Sequence, residues 1–153
     1  MARRWTLALL VCVTLSSCAK HIAAPVNEPL LAPPPHSVKL VSSSHDGRGP
    51  GGIGGFETSA SVFIVYASTD ALDTLLARYR TLAASDYRYS VQDQGASVEL
   101  TAFSKRHKNR SGIVTFTTEL PTDMIRVYTS ASTTLAPAPT GTKTYIAVAM
   151  GEG

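Results

Sequence analysis

Val62-Phe63-Ile64-Val65-Tyr66 is the stretch that decides the fold of this chain, because it joins β-branched and aromatic residues without polar alternation. Residues of these types favour strands, and a strand without alternation is typically buried on both of its faces. The stretch therefore predicts an interior strand, around which the rest of the domain is arranged.

A helix is predicted directly after this strand. Apolar residues recur there with the spacing of one helical face, which indicates that this face packs against the sheet. Ser68, Thr69 and Asp70 precede the pattern and are candidates for the N-cap. The apolar stripe consists of Leu72, Leu75, Leu76, Tyr79, Leu82 and Ala83.

The second half of the chain predicts strands. Apolar and polar residues alternate over 87–91, 96–102 and 114–117, and this period of two is typical of half-buried strands. Shorter apolar stretches at 124–128 and 145–150 predict two further strands. The Thr, Ala and Pro-rich residues 130–142 are longer than most connections within a domain.

These elements predict an α+β fold, in which one amphipathic helix packs on a mainly antiparallel sheet of about five strands. The order is strand-helix-strand-strand-strand-strand. The face of the sheet without the helix would carry Phe63, Phe103 and Ile113, and an apolar patch exposed there would indicate a binding surface.

Residues 18–60 predict a disordered tether that precedes a small domain at 61–153. They are rich in Pro, Gly, Ser and Ala, and such a composition buries too little apolar surface to offset the entropy of ordering the backbone. A flexible tether of this length would span about 35 to 40 Å. Within it, Val38, Leu40 and Val41 give only a weak indication of a short edge strand.

The first 18 residues have the layout of an export signal. Arg3-Arg4 is basic, residues 5–15 are apolar, and small serines precede Cys18. Leu15-Ser16-Ser17-Cys18 resembles a lipobox, the site at which bacterial lipoproteins are acylated on the cysteine and then cut in front of it. The resemblance covers only these residues. It implies a signal peptide at 1–17 and a membrane anchor, such as palmitate, on Cys18.

Two other interpretations of this region stay open. An ordinary secretory signal cut near Ala23 or Ala24 would release a soluble protein, and Arg3-Arg4 could belong to a twin-arginine signal. Ala19-Lys20 follows the cysteine where lipoproteins retained at the inner membrane of enteric-type bacteria commonly carry an aspartate. The resemblance therefore implies the cell envelope, with the periplasmic face of the outer membrane as the expected location.

Composition excludes several classes of function. The formal net charge is +3 from 14 basic and 11 acidic residues, and removal of Arg3 and Arg4 with the signal leaves 12 against 11, or +1. This balance gives no support for nucleic-acid binding. The two cysteines are Cys12 and Cys18, so the domain contains neither a disulfide nor a thiolate metal site.

One loop has a pronounced local charge. On this hairpin tip, cations could contact lipid phosphates, anionic polysaccharide or an acidic protein surface. The alternative interpretation is a solvated loop whose charges keep the edge of the sheet soluble. The residues are Lys105, Arg106, His107, Lys108 and Arg110.

No motif predicts catalysis, a metal or a cofactor. The four histidines are scattered, with three of them at 21, 36 and 45 in the predicted tether. Gly49, Gly51 and Gly54 match the spacing of a dinucleotide fingerprint, but neither the preceding strand nor the following helix is present.

The leading functional hypothesis is a noncatalytic envelope lipoprotein that binds or scaffolds a protein partner, as part of an envelope or secretion assembly. A module that binds anionic lipid or polysaccharide through the basic tip is the first alternative. A hydrolase of envelope polymers is the second. The sequence does not predict an oligomeric state.

Overall fold

The computed structural model describes residues 21–48 and 59–152. The strands are β1 (His21–Ile22), β2 (Ser37–His45), β3 (Gly47–Arg48), β4 (Ala60–Ser68), β5 (Tyr87–Asp93), β6 (Ser97–Ser104), β7 (Arg110–Thr117) and β8 (Thr144–Glu152). The helices are α1 (Leu72–Asp86) and α2 (Thr122–Tyr128), together with a 3-10 turn at Pro29–Leu31.

The main sheet has six strands in the order β2-β4-β8-β7-β6-β5, and every neighbouring pair is antiparallel. A separate two-stranded ribbon pairs β1 with β3. The predicted α+β class with a mainly antiparallel sheet is confirmed, with one more strand in the sheet than expected. β8 joins the β2-β4 half of this sheet to the β7-β6-β5 half.

The stretch Val62–Tyr66 lies in β4, which pairs with β2 on one side and β8 on the other. Val62, Phe63, Val65 and Tyr66 are buried. Their side chains point alternately to two apolar layers, one on each face of the sheet. The prediction of an interior strand is therefore confirmed.

Helix α1 covers the first of these faces, as its apolar stripe predicted. Leu75, Tyr79 and Ala83 are buried in the core, where the ring of Tyr79 meets Phe116 edge-on at 5.4 Å between centroids. The predicted N-cap is wrong, because Ala71 occupies that position and no side chain caps the helix.

The strand predicted at 124–128 is wrong, because these residues lie in helix α2. Pro121 precedes the helix and Asp123 lies in its first turn, both of which favour a helix start. Met124 and Ile125 pack on the second face of the sheet. The ring of Tyr128 stacks on Phe63, with centroids 4.6 Å apart and planes inclined by 12°.

The second face is consequently covered over only part of its width. Helix α2 and residues of the 130–142 connection cover β2, β4 and part of β8. Phe63 is buried under this layer, whereas Phe103 is 52% exposed and Ile113 is 37% exposed. The predicted helix-free face thus exists on the outer side of β6 and β7 but not on β4.

Residues 21–48 are folded, which corrects the predicted tether and the domain start near residue 61. Leu30 and Leu31 are buried in the core beside α1, and Tyr66 Oη donates to the Leu31 carbonyl at 2.7 Å. Strand β2 forms one edge of the sheet. A few well-spaced apolar residues are enough to order this segment, because the sheet and α1 supply packing partners that the segment lacks by itself. The signal, Cys18, the glycine fingerprint and the rest of the predicted tether lie outside the described residues.

A bulge in β2 ties the 130–142 connection to the sheet. The register shifts between Lys39 and Val41, and the carbonyl of Leu40 accepts the Ala136 N–H at 2.9 Å. Ser43 Oγ also donates to the Tyr128 carbonyl at 2.7 Å. The long connection is thus an ordered part of the second layer.

Candidate functional site: a basic cleft

The loop between β6 and β7 is organised by Ser104. Its hydroxyl oxygen accepts the N–H of Arg106 at 3.2 Å and the N–H of His107 at 3.0 Å. The N–H of Arg110 then donates to the His107 carbonyl at 3.1 Å. The basic residues therefore stand on a defined turn.

Next to this turn lies a cleft of about 400 Å³. Arg88 and Phe103 are directly paired in the β5-β6 register, so both rise from the second face of the sheet. The loop supplies the remaining cations. The lining residues are Arg88, Phe103, Ser104, Lys105, Arg106 and Lys108.

Two of the cleft cations are held by the end of α1. Lys105 Nζ donates to the Ala84 carbonyl at 2.8 Å, where the negative end of the helix dipole favours a cation. Arg106 pairs with Asp86 at 2.7 Å, although its side chain stays 76% exposed. The last turn of the helix thus positions both side chains beside the cleft.

The cleft retains an excess of positive charge. Asp86 pairs with Arg106, while Arg88, Lys105 and Lys108 have no carboxylate partner among residues 21–48 and 59–152. His107 is exposed on the same loop but does not line the cleft. Three cations without a carboxylate partner around an exposed aromatic ring are suited to an anionic ligand that also has an apolar or planar part.

Arg110 is separated from the other basic residues. Its guanidinium donates to Glu152, with Nε at 2.9 Å from Oε2, and also to Glu28. Tyr87 donates to the same Glu28 carboxylate. The Arg110 side chain is only 15% exposed. This residue closes the end of the core and does not contribute to the surface of the cleft.

The pKa values of Arg110 and Tyr87 are both raised in this buried group. Burial opposes the charge on Arg110, but the hydrogen bonds and charges of Glu152 and Glu28 outweigh it and raise the pKa of the guanidinium. Burial, followed by the hydrogen bond to Glu28, raises the pKa of the Tyr87 phenol. Arg110 therefore stays charged and Tyr87 stays protonated at neutral pH.

Sequence reasoning found Lys105, Arg106 and Lys108 but missed Arg88 and Phe103 as cleft residues. The signal was present in the strand pairing, because a hairpin that turns at 94–96 places position 88 opposite position 103. Arg88 lies outside the charge run, so a search for local charge density does not detect it.

A serine, a histidine and an aspartate meet at the far end of β4, but their contacts do not form a catalytic relay. The His36 ring binds Asp70 at 3.1 Å. The Ser68 hydroxyl faces the backbone carbonyl of His36 at 3.4 Å and accepts the Asp70 N–H at 3.1 Å. Since the hydroxyl does not bond to the imidazole, these contacts order a turn and lend no support to the hydrolase hypothesis.

Another histidine contact orders the N-terminal ribbon. Asp46 binds the His21 ring at 3.0 Å and accepts the Ala24 N–H at 2.9 Å. The bond from Ala24, followed by that from His21, lowers the pKa of Asp46. Within the described part of the chain, no group of three His, Cys, Asp or Glu side chains is arranged to hold a metal ion.

Comparison with protein-family models, curated proteins and solved structures gives no significant match to this chain. Across 21–48 and 59–152, none of the helices has the length and apolar character needed to cross a membrane.

Proposed function

We propose that this chain is a noncatalytic binding protein of the bacterial envelope, anchored by lipid on Cys18, whose basic cleft binds an anionic group. The convergence of Arg88, Lys105 and Lys108 on the exposed ring of Phe103 carries this proposal. Cations without a carboxylate partner attract phosphate or carboxylate, and the ring beside them offers an apolar surface to the same ligand.

Each type of side chain would contact a different part of the ligand. Arg88 presents a planar fork that can donate two parallel hydrogen bonds to phosphate or carboxylate, while Lys105 and Lys108 act as point charges. Phe103 offers a flat surface for the carbon skeleton that carries the anion. A ligand of this chemistry is an anionic lipid headgroup or an acidic polysaccharide.

Calorimetric titration of the processed chain with pyrophosphate, a soluble probe of the cleft, tests the proposal. The double variant Arg88→Ser/Lys108→Ser should bind at least about tenfold more weakly, because loss of about 1.4 kcal/mol corresponds to that factor. The matched control is Arg80→Ser/Lys143→Ser, which removes two exposed cations distant from the cleft. Binding that is equal in the two double variants would refute the cleft as the site.

A protein partner is a second candidate, favoured by the surface of α2. Val127 is 77% exposed and Tyr128 is 37% exposed. Beside them is a cleft of about 440 Å³, lined by Ile125, Arg126, Thr129, Ser130, Ala131, Thr133 and Leu135. An envelope protein with an apolar contact surface would fit here, in agreement with the scaffolding hypothesis.

Photo-crosslinking in intact cells tests this second candidate. A photoreactive residue at Val127 should capture one defined protein, whereas the same residue at Val38, an exposed position on the edge strand, should not. Equal products from both positions would show that capture is nonspecific and would remove the support for a partner at α2.

A further inference from the structure

The N-terminal start of the described chain and the basic cleft lie at the same end of the sheet. Strand β1 begins at His21, only three residues after Cys18. It pairs with β3, which is separated from the last residue of β2, His45, only by Asp46. The described chain therefore begins beside the His45 end of the sheet.

The strand register connects this end to the cleft. His45 pairs with Ser61, and the row of paired residues then crosses each remaining strand in turn. It ends at Phe103 and Arg88, which line the cleft. The complete row is His45, Ser61, Gly151, Ser111, Phe103 and Arg88.

The distances are short enough for both features to meet one surface. Three residues span at most about 11 Å when fully extended, so an acylated Cys18 holds His21 close to the bilayer. Six strands at about 4.8 Å spacing make the sheet about 24 Å wide. A flat surface that lies against this end of the sheet can contact the ribbon and the cleft together.

The two ends of the sheet also differ in charge. The cleft end exposes Arg88, Lys105, Arg106 and Lys108, against the two carboxylates Asp46 and Asp86. The opposite end, where β4 and β7 finish and both α-helices begin, is rich in carboxylates. These are Asp70, Asp73, Asp93, Glu119 and Asp123, which outnumber the cations Lys39, Arg126 and Lys143 at the same end. An anionic surface would attract the first end and repel the second.

We infer that the anchored protein stands end-on on its own membrane, with the cleft facing the bilayer and binding the phosphate of an anionic phospholipid. This inference rests on the proposed function and adds the source of the anion. Lipid phosphates close to the anchor have a high local concentration, so even weak individual contacts with the cleft would be occupied.

Lysine reactivity in reconstituted vesicles tests the orientation. The lipidated protein is inserted into vesicles of phosphatidylcholine, with or without phosphatidylglycerol, and the acylation rate of each lysine is measured by mass spectrometry. Lys108 should be acylated at least about fivefold more slowly on the anionic vesicles than on the neutral ones, because the anionic surface attracts and covers it. Lys39 and Lys143 are internal controls at the opposite end and should react equally on both.

A matched pair of variants assigns the effect to the cleft. Arg88→Ser should restore much of the reactivity of Lys108 on anionic vesicles, and Arg80→Ser, on the exposed side of α1, should leave the protection intact. Protection that is the same in both variants, or that includes Lys39 and Lys143 to the same degree, overturns the end-on orientation.

The pyrophosphate titration separates this inference from the proposed function. If the cleft binds pyrophosphate but Lys108 reacts equally on both kinds of vesicle, the cleft is an anion site that does not face the membrane. Protection of Lys108 by soluble acidic polysaccharide, but not by anionic vesicles, also overturns the inference and identifies a polymer ligand. If pyrophosphate does not bind at all, the proposed function fails as well.

Discussion

Arg88 on β5 lies directly opposite Phe103 on β6, so a guanidinium and an aromatic ring rise side by side from the same face of the sheet. Phe103 is about half exposed, and its replacement should therefore cost little stability. We expect Phe103→Ser to change the free energy of unfolding by no more than about 1 kcal/mol while weakening binding to anionic vesicles.

Ile113→Ser is the matched control for this prediction, because Ile113 is exposed on the same face but does not line the cleft. Vesicle cosedimentation and urea denaturation of both variants are the measurements. A loss of vesicle binding of the same size in Ile113→Ser would assign the effect to general surface hydrophobicity instead of the cleft.

The second prediction concerns the buried ion group around Arg110. Arg110→Met would leave the carboxylates of Glu28 and Glu152 without their cation, and such a change typically costs about 3 to 5 kcal/mol of stability. Arg106→Ser breaks the exposed pair with Asp86 and should cost less than about 1 kcal/mol. Urea denaturation of the two variants measures the contrast, and equal losses would contradict the structure.

The third prediction is a dependence of stability on alkaline pH. Burial and the bond to Glu28 raise the pKa of Tyr87 in the folded state. Stability from the retained phenol proton is therefore fully present below about pH 10, the pKa of an unfolded tyrosine, and is lost as the pH rises above it towards the folded-state pKa.

Tyr87→Phe removes this dependence together with the hydrogen bond. The variant should be less stable than the original protein at about pH 8, since Glu28 loses a donor, but its free energy of unfolding should decline less steeply above about pH 10. Denaturation over this range is the measurement. Parallel declines in the two proteins would exclude a contribution from Tyr87.

The fourth prediction tests the cover that α2 places on the second face. Tyr128→Ala removes the ring stacked on Phe63 and should lower the free energy of unfolding by about 1 to 3 kcal/mol. Val127→Ala, at the adjacent and largely exposed position, should change it by less than about 0.5 kcal/mol. Similar changes in the free energy of unfolding for the two variants would mean that the stacking of Tyr128 on Phe63 does not stabilise the packing of α2 on the sheet.

The fifth prediction concerns the proposed anchor. Cys18→Ser should abolish incorporation of labelled palmitate and prevent cleavage before residue 18, because the lipid is attached through the thiol. Metabolic labelling and membrane fractionation measure both effects. A Cys18→Ser protein that is cut at the same bond and still fractionates with membranes would exclude the lipobox.

Local patterns predicted the elements whose neighbours are close in sequence. The period-two strands from Tyr87 onwards and the stripe of α1 each carry several repeats of their pattern, so their type was predicted correctly. Helix α2 has only three residues that pack inward, Met124, Ile125 and Tyr128, and so short a segment has no measurable period.

Long-range contacts explain the remaining differences. The pairing of Glu28 with Arg110 joins residues 82 positions apart, and no local signal shows that Arg110 turns inward. The Pro-rich segment before β2 has the composition of a linker, yet Leu30 and Leu31 fill a gap beside α1 that exists only in the assembled fold. Composition describes what a segment can do alone, while these residues depend on distant partners.

The central position of β8 has a consequence for when the protein can fold. Its pairing with β4 joins residues as distant in sequence as Ala60 and Glu152. Strands β4 and β7 therefore each lack a neighbour on one side until β8 has been synthesised. Such distant pairings form slowly. In the proposed lipoprotein, this delay would keep the polypeptide unfolded while it passes through an export channel. The six-stranded sheet would form only after the whole chain has crossed.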